Sequence, residues 1–118
     1  MKVAFIDVDG MSTRCIFGGA ERGRPILLIH GLTLIADIWA PHIAALEEHG
    51  FRVIAPDMAG SGFTDSPPSD GRPMIAHKVD HLCRLLDVLG IRDLSISGSS
   101  YGALIAAAFA FFLAGIPV

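Results

Sequence analysis

The segment Ile96-Ser97-Gly98-Ser99-Ser100-Tyr101-Gly102-Ala103 decides the fold. It carries the pattern Gly98-x-Ser100-x-Gly102 between a strand-like run at 94–97 and a helix-like run. A tight strand-to-helix turn crowds its own backbone, so small residues are needed two positions on each side of its apex. The pattern therefore predicts that Ser100 is a nucleophile lifted out of a sheet. The alternative is a glycine-rich turn with an incidental serine.

A second motif, His30-Gly31, directly follows the short apolar run at 26–29. A serine nucleophile acting on a carbonyl needs backbone N–H groups beside it to hold the oxyanion. We expect the N–H of Leu32, in this loop, and the N–H of Tyr101 to supply them. The imidazole of His30 is expected to shape the loop through hydrogen bonds, because the donor role belongs to the backbone.

The rest of the chain alternates strand-like and helix-like patterns around these motifs. Asp9-Gly10 favours a hairpin turn, because both residues can adopt a positive φ. A continuous apolar run such as 26–29 is typical of a strand buried on both faces. The sum is a hairpin followed by β-α-β-α-β-α, which indicates a largely parallel sheet covered by helices. The predicted strands are 3–8, 12–17, 26–29, 51–55 and 94–97, and the predicted helices are 36–49, 74–89 and 103 onward.

Composition narrows the class of protein further. The chain has 118 residues, with nine Lys and Arg against twelve Asp and Glu, a net charge of −3 and a pI of about 5.9. This balance argues against a nucleic-acid-binding protein. Hydrophobic residues make up 52% of the chain, so we expect a folded domain. Cys15 and Cys83 form neither a disulfide framework nor a metal-binding spacing, which favours the reducing cytoplasm.

Taken together, five segments resemble the α/β-hydrolase family in order and spacing. The resemblance covers about residues 3–108, the first five strands and the helix after the nucleophile. It implies an α/β fold in which residues 1–118 are the N-terminal part of a single α/β-hydrolase domain, truncated after that helix. The uniformly apolar segment 109–118 departs from the family pattern. The five segments are Asp9-Gly10, Pro25-Ile26-Leu27-Leu28-Ile29-His30-Gly31, Val53-Ile54-Ala55-Pro56-Asp57, Gly60-Ser61-Gly62-Phe63-Thr64-Asp65 and Gly98-Ser99-Ser100-Tyr101-Gly102.

The resemblance also implies a function. A serine at position 100 resembles esterases, lipases and carbon–carbon bond hydrolases, whereas relatives that open epoxides usually carry aspartate there. The substrate would be a small ester-like or related carbonyl compound, and no cofactor or metal is expected. The family's triad continues with Asp or Glu and then His. No acidic residue or histidine follows Ser100 in this chain, so we expect this chain to be inactive or very weak.

Several alternatives stay open at this stage. Phe5-Ile6-Asp7-Val8-Asp9-Gly10 is similar to the aspartate motif of haloacid-dehalogenase-like phosphatases, although a second strand follows where that family needs a helix. His77 and His81, at i and i+4, would need a third ligand to bind zinc, and a solvated helix face is the preferred interpretation. The uncharged segment 101–118 could be a membrane anchor, although a buried helix is preferred. An open edge at the strand before Ser100 predicts poor solubility or self-association, and hence a non-catalytic association module as the alternative function.

Overall fold

The computed structural model describes residues 1–115, which form a five-stranded sheet flanked by three α-helices. The strands are β1 (Lys2–Val8), β2 (Met11–Gly18), β3 (Arg24–Ile29), β4 (Phe51–Pro56) and β5 (Ser95–Gly98). The helices are α1 (Ala40–Glu48), α2 (Met74–Leu89) and α3 (Tyr101–Leu113), and a 3₁₀ turn (Ala36–Trp39) precedes α1. Each predicted strand and helix is therefore present. Residues 116–118, the end of the apolar segment at 109–118, lie outside the described residues.

The sheet has the strand order β1-β2-β4-β3-β5. β1 and β2 form the predicted hairpin, with Val8 opposite Met11 and positive φ angles of 50° at Asp9 and 88° at Gly10. β2 pairs antiparallel with β4, whereas β4, β3 and β5 are mutually parallel. The hairpin excludes the phosphatase-like alternative, because a strand and not a helix follows Asp9-Gly10.

Helices cover both faces of the sheet, as the alternation of elements predicts. Leu28 of β3 packs with Ile43 and Trp39 on the α1 face. Leu27 and Ile29 point to the opposite face, where α2 and α3 lie. The prediction that β3 is buried on both faces is confirmed. Packing on both faces holds the strand, and with it the loop that follows its carboxyl end, in a fixed position.

The first predicted helix, 36–49, is divided into two parts. A 3₁₀ turn covers its first four residues, and α1 starts at Ala40 with Pro41 in its first turn. Pro41 has no N–H to donate to the carbonyl of Asp37, so an α-helical hydrogen bond cannot form there. The tighter 3₁₀ turn takes its place.

Helix α2 packs through a stripe of apolar residues, but it also buries two histidines. Val79, Leu82, Leu85 and Leu86 are buried among the sheet and α3. His77 and His81 are only 8% and 3% exposed, so the expectation that they lie on a solvated helix face is wrong. Each histidine has a polar partner. Nε2 of His77 lies 2.8 Å from the carboxylate of Asp70, and Nε2 of His81 lies 2.8 Å from Oγ1 of Thr13.

Strand β5 forms one edge of the described sheet, and α3 packs beside it with one side uncovered. The outer side of α3 exposes Leu104 and Phe111, and at the carboxyl end of the helix Phe112 and Leu113 are also exposed, beside Leu86 of α2. In the described part of the chain, no helix has both the length and the hydropathy needed to cross a bilayer.

Both cysteines are free thiols. Cys15 is fully buried in β2, opposite Pro56 of β4. Burial, reinforced by the charge of Asp57, raises the pKa of Cys15 to about 12. Burial likewise raises the pKa of Cys83, on α2, to about 11. Both thiols are therefore protonated and weakly nucleophilic at neutral pH.

Candidate active site

Ser100 is the apex of a sharp turn between β5 and α3. Its backbone has φ 56° and ψ −121°, a conformation that residues with a side chain rarely adopt. The helix starts directly after it, at Tyr101 rather than at the predicted Ala103. The side chain is exposed to solvent at the carboxyl end of the parallel strands. Local strain of this kind persists only where the surrounding structure enforces it.

The two flanking glycines enforce this conformation through close backbone contacts. A Cβ on Gly98 would overlap the carbonyl group of Gly102, and a Cβ on Gly102 would overlap the carbonyl oxygens of Ile29 and His30. The N–H of Ser99 donates a 3.1 Å hydrogen bond to the carbonyl of Ile29, the last residue of β3. Glycine is therefore required at both positions: at Gly98 because the turn crowds its own backbone, as predicted, and at Gly102 because the end of β3 lies against it.

The loop after β3 lies directly against this turn. A Cβ placed on Gly31 would be 3.6 Å from Cβ of Ser100 and 3.4 Å from the carbonyl oxygen of Ser99. The next residue, Leu32, is exposed. Within residues 1–115, the N–H groups of Leu32 and Tyr101 donate no hydrogen bond. The loop after β3 and the start of α3 thus each offer a backbone N–H without an acceptor in the described residues, and their role in holding an oxyanion stays a prediction.

His30 is fully buried beneath the loop and is held by two backbone hydrogen bonds. Its Nε2 accepts the N–H of Met58 at 3.0 Å, so the proton is on Nδ1, which donates to the carbonyl of Gly31 at 2.7 Å. Burial lowers the pKa of His30, which keeps the ring neutral. Because both ring nitrogens are engaged, His30 joins the two loops and has no nitrogen available to take a proton from Ser100.

Asp57 is a buried carboxylate that the sequence analysis did not single out. It accepts the N–H of Ala36 at 2.8 Å and the N–H of Phe63 at 3.0 Å, and Arg14 lies 3.4 Å from both of its oxygens. It thereby ties the loop after β3 to the loop after β4. Gly62 is required there, since a Cβ would overlap the carboxylate. The signal was an aspartate directly after a buried strand and before a glycine-rich loop.

Comparison with known proteins agrees with this architecture. A family model described as the alpha/beta hydrolase fold matches residues 24–111. This chain belongs to the alpha/beta hydrolase family. Epoxide hydrolase 3 of Siraitia grosvenorii is 39% identical over 111 residues, 94% of this chain and 35% of that protein. A 2-hydroxy-6-oxo-2,4-heptadienoate hydrolase of Pseudomonas putida is 37% identical over 92 residues, 75% of this chain and 32% of that protein.

Among solved structures, the epoxide hydrolase VrEH1 of Vigna radiata superimposes with a TM-score of 0.86 at 27% identity. The alignment covers 98% of this chain and 37% of that structure. A membrane phospholipase A described as a bacterial virulence factor gives a TM-score of 0.87, also at 27% identity, over 98% of this chain and 37% of its own. The chain thus spans about a third of the length of the relatives it matches.

Within this hydrolase fold, none of the five histidines forms a hydrogen bond with Ser100 in the described residues. His77 and His81 are bound to Asp70 and Thr13 on the far side of α2. His42 contacts the ring of Trp39 edge-on, and His49 pairs with the carbonyl of Ala45 on α1. All five precede Ser100 in sequence, and the fold does not bring any of them to it.

The zinc alternative at His77 and His81 finds no support in the part of the chain that the structure describes. No group of three or more His, Cys, Asp or Glu side chains there could hold a metal ion. Instead, the one ring nitrogen of His81 without a partner, Nδ1, is buried. The two histidines serve as buried polar contacts between α2 and its neighbours.

Proposed function

We propose that this chain carries the nucleophile and the oxyanion site of an esterase-like serine hydrolase. The observation that carries the proposal is the geometry of Ser100, which is exposed at positive φ between two glycines that cannot accept a Cβ. Maintaining such a conformation costs on the order of 1–3 kcal/mol, which a merely connecting turn would have no reason to incur. The hydrolase names of the relatives support the same class of reaction.

In the proposed reaction, Oγ of Ser100 attacks the carbonyl carbon of an ester, and the N–H groups of Leu32 and Tyr101 hold the developing oxyanion. The bond to the alcohol then breaks and leaves an acyl group on Ser100. Water attacks that acyl group, releases the acid and restores the serine. The Oγ proton must pass to a base and then to the leaving alcohol.

A serine at position 100 favours acyl chemistry over epoxide opening, despite the epoxide hydrolases among the relatives. Attack of a carboxylate on an epoxide carbon gives an ester, which water can cleave at its carbonyl. Attack of a serine hydroxyl would give an ether, which has no carbonyl for water to attack. Turnover of an epoxide would therefore stop after one event, whereas an acyl-serine can be hydrolysed.

We expect very weak turnover from the chain of 118 residues alone, since no histidine contacts Ser100. Serine hydrolases that lose a triad member retain about 10³–10⁴-fold acceleration over water, from binding and the oxyanion hole. The free thiols of Cys15 and Cys83 suit the cytoplasmic location that is part of this proposal.

The test is covalent labelling of the purified chain with a fluorophosphonate, together with hydrolysis of p-nitrophenyl acetate. Labelling at Ser100 should be slow, because no histidine contacts the serine, but it should disappear in Ser100→Ala and persist in Ser99→Ala, a matched control one residue away that is also exposed. Equal labelling in all three proteins would overturn the proposal, as would catalytic turnover of styrene oxide. Hydrolysis of p-nitrophenyl acetate well above the Ser100→Ala background would overturn the expectation of weak activity.

A second candidate function is association between two copies of the chain. It is favoured by the position of β5 at the sheet edge and by the exposed apolar side of α3. An open strand edge presents a row of backbone N–H and C=O groups that a second strand can pair with. A monodisperse monomer in sedimentation at micromolar concentration would contradict it.

A further inference from the structure

Lys78, on α2, is a buried ammonium without a carboxylate partner. It is only 4% exposed. Its Nζ donates one hydrogen bond, at 2.6 Å, to the carbonyl of Ala59. Within residues 1–115, no Asp or Glu oxygen comes within ion-pair distance of it. An ammonium has three N–H donors, and burying one without a counter-charge is costly.

None of the charged or titratable groups near Lys78 supplies a negative charge that would balance its ammonium group. The charge contributes to lowering the pKa of both His30 and His81, which are buried and neutral. The buried carboxylate of Asp57 is engaged by Arg14 and two backbone N–H groups. Burial also lowers the pKa of Lys78 itself, a shift that an anion beside Nζ would oppose.

A cavity of about 410 Å³ lies beside this lysine, and Lys78 is its only charged lining residue. Its volume falls within the range of small-molecule sites, about 300–1,000 Å³. The walls come from the loop after β3, the loop after β4 and the first turns of α2. The apolar part of the walls includes Leu32, Ile35 and Met74. Thr33 and Ser61 add two hydroxyl groups.

The cavity also reaches the candidate active site, because Leu32 belongs to its wall. The neighbouring Thr33 has φ 65°, a conformation that is strained for a β-branched residue. The loop proposed to carry one oxyanion donor thus also forms one wall of the cavity beside Lys78. A molecule with its carbonyl at the N–H of Leu32 would therefore lie next to this space.

We propose that the cavity binds the carboxylate of an acyl substrate, with Lys78 as the cationic partner and with the hydroxyls of Thr33 and Ser61 beside it. The inference rests on the proposed function and gives it a substrate class: esters or ketones that carry a carboxylate group on the acyl side. The Ala59 carbonyl orients the ammonium, and the substrate supplies the missing negative charge.

Lys2 and Lys78 are the only lysines in the chain, which makes a direct test practicable. The chain is labelled with ¹³Cε-lysine and titrated with monomethyl succinate, then with dimethyl succinate as the uncharged counterpart. We expect the Lys78 resonance to move saturably with the monoester only and the exposed Lys2 resonance to stay in place. Movement of both resonances together, or of neither, would overturn the inference without any variant having to fold.

A variant pair adds a second measurement. Lys78→Met should weaken binding of monomethyl succinate about tenfold, the loss expected for one charge-assisted hydrogen bond, and should leave binding of dimethyl succinate unchanged. Lys2→Met is the matched control and should change neither. Fluorophosphonate labelling of Ser100 is followed in the same samples. Labelling without carboxylate binding would overturn this inference alone, and carboxylate binding without labelling would overturn the proposed function and, with it, the substrate role of the site.

Discussion

Helices α2 and α3 lie on the same face of the sheet, yet only α2 has a sequence pattern that matches its buried and exposed sides. Helix α2 buries seven of its 16 residues in one stripe and turns its remaining charged side chains outward. Helix α3 has no charged residue, buries four of its 13 residues and exposes large apolar side chains on its other side. An amphipathic pattern orients α2, whereas α3 cannot be oriented in that way.

What orients α3 instead is the turn from which it starts. Gly102, in its first turn, lies against the carbonyl oxygens at the end of β3, and Ile105 and Phe109 then fall into the core. A helix without amphipathic character is thus held by one strained junction and a few buried side chains. The comparison can be tested at the junction, on the two sides of α3 and at the buried polar groups of α2.

The largest effect is expected from Gly102→Ala. The added methyl group would overlap backbone carbonyls of Ile29 and His30, and neither can move without disrupting β3. We expect a loss of roughly 4–5 kcal/mol, enough to abolish cooperative unfolding in a urea titration followed by circular dichroism. Gly10→Ala is the control: no atom lies within 4 Å of a Cβ there, so it should cost only the roughly 1–2 kcal/mol of placing a side chain at a φ of 88°. A cooperative transition at the wild-type midpoint for Gly102→Ala would show that the junction does not anchor α3.

The next effect separates the two sides of α3. Phe109 is fully buried and Phe111 is 54% exposed, although both lie on the same helix. Phe109→Ala should cost about 3–5 kcal/mol of unfolding free energy, because it leaves a cavity in the core. Phe111→Ala should change it by less than about 0.5 kcal/mol. Similar urea midpoints for the two variants would mean that the outer side is covered in solution.

A smaller effect is expected at α2 as the pH falls. Burial and the charge of Lys78 lower the pKa of His81 to about 4, although Asp80 opposes the shift. The unfolded chain takes up this proton near pH 6.5, whereas the folded chain does not. The contribution of His81 to stability is therefore complete above pH 6.5 and is lost as the pH falls to 4, by up to about 3 kcal/mol.

The measurement is the urea midpoint between pH 7 and pH 4 for the wild type and for His81→Gln. The variant should lose less stability over this range, because glutamine takes up no proton. His49→Gln, on the exposed end of α1, serves as the matched control and should follow the wild type. Parallel curves for the wild type and His81→Gln would contradict the assignment.

The smallest effect on stability is expected from a charge on the outer side of α3. Leu104 is 55% exposed on this side, so Leu104→Lys should leave the urea midpoint within about 0.5 kcal/mol of the wild type. It should nevertheless shift the sedimentation profile toward the monomer, since a lysine at a contact between copies opposes close apolar packing. An unchanged proportion of oligomer would exclude this side of α3 from self-association.

The sequence alone predicts the fold well, because its signals are local. The Asp9-Gly10 turn, the apolar run at 26–29 and the glycines around Ser100 each act within a few residues, and each is confirmed in the structure. The crowding at Gly98 arises within five consecutive residues, whereas the crowding at Gly102 comes from the distant residues Ile29 and His30. The catalytic role of Ser100 stays a prediction.

Features that depend on distant partners were not predictable in this way. His77 and His81 are polar residues on a helix, for which exposure is the ordinary expectation. Their burial depends on Asp70 and on Thr13, which is 68 positions from His81. Asp57 likewise gains its importance from N–H groups 21 residues before it and six residues after it. Only the folded chain shows that these groups meet.

The thiol of Cys15 lies in the core between the sheet and α2, in the same cluster of buried residues as Leu82 and Leu85, where no reagent can reach it in the closed molecule. Its rate of alkylation at neutral pH therefore measures how often α2 moves away from the sheet. The half-buried Cys83 lies on α2 itself, and its rate of alkylation in the same sample reports on local opening around that helix. The ratio of the two rates would show whether the core under α2 opens only together with such local motion or independently of it.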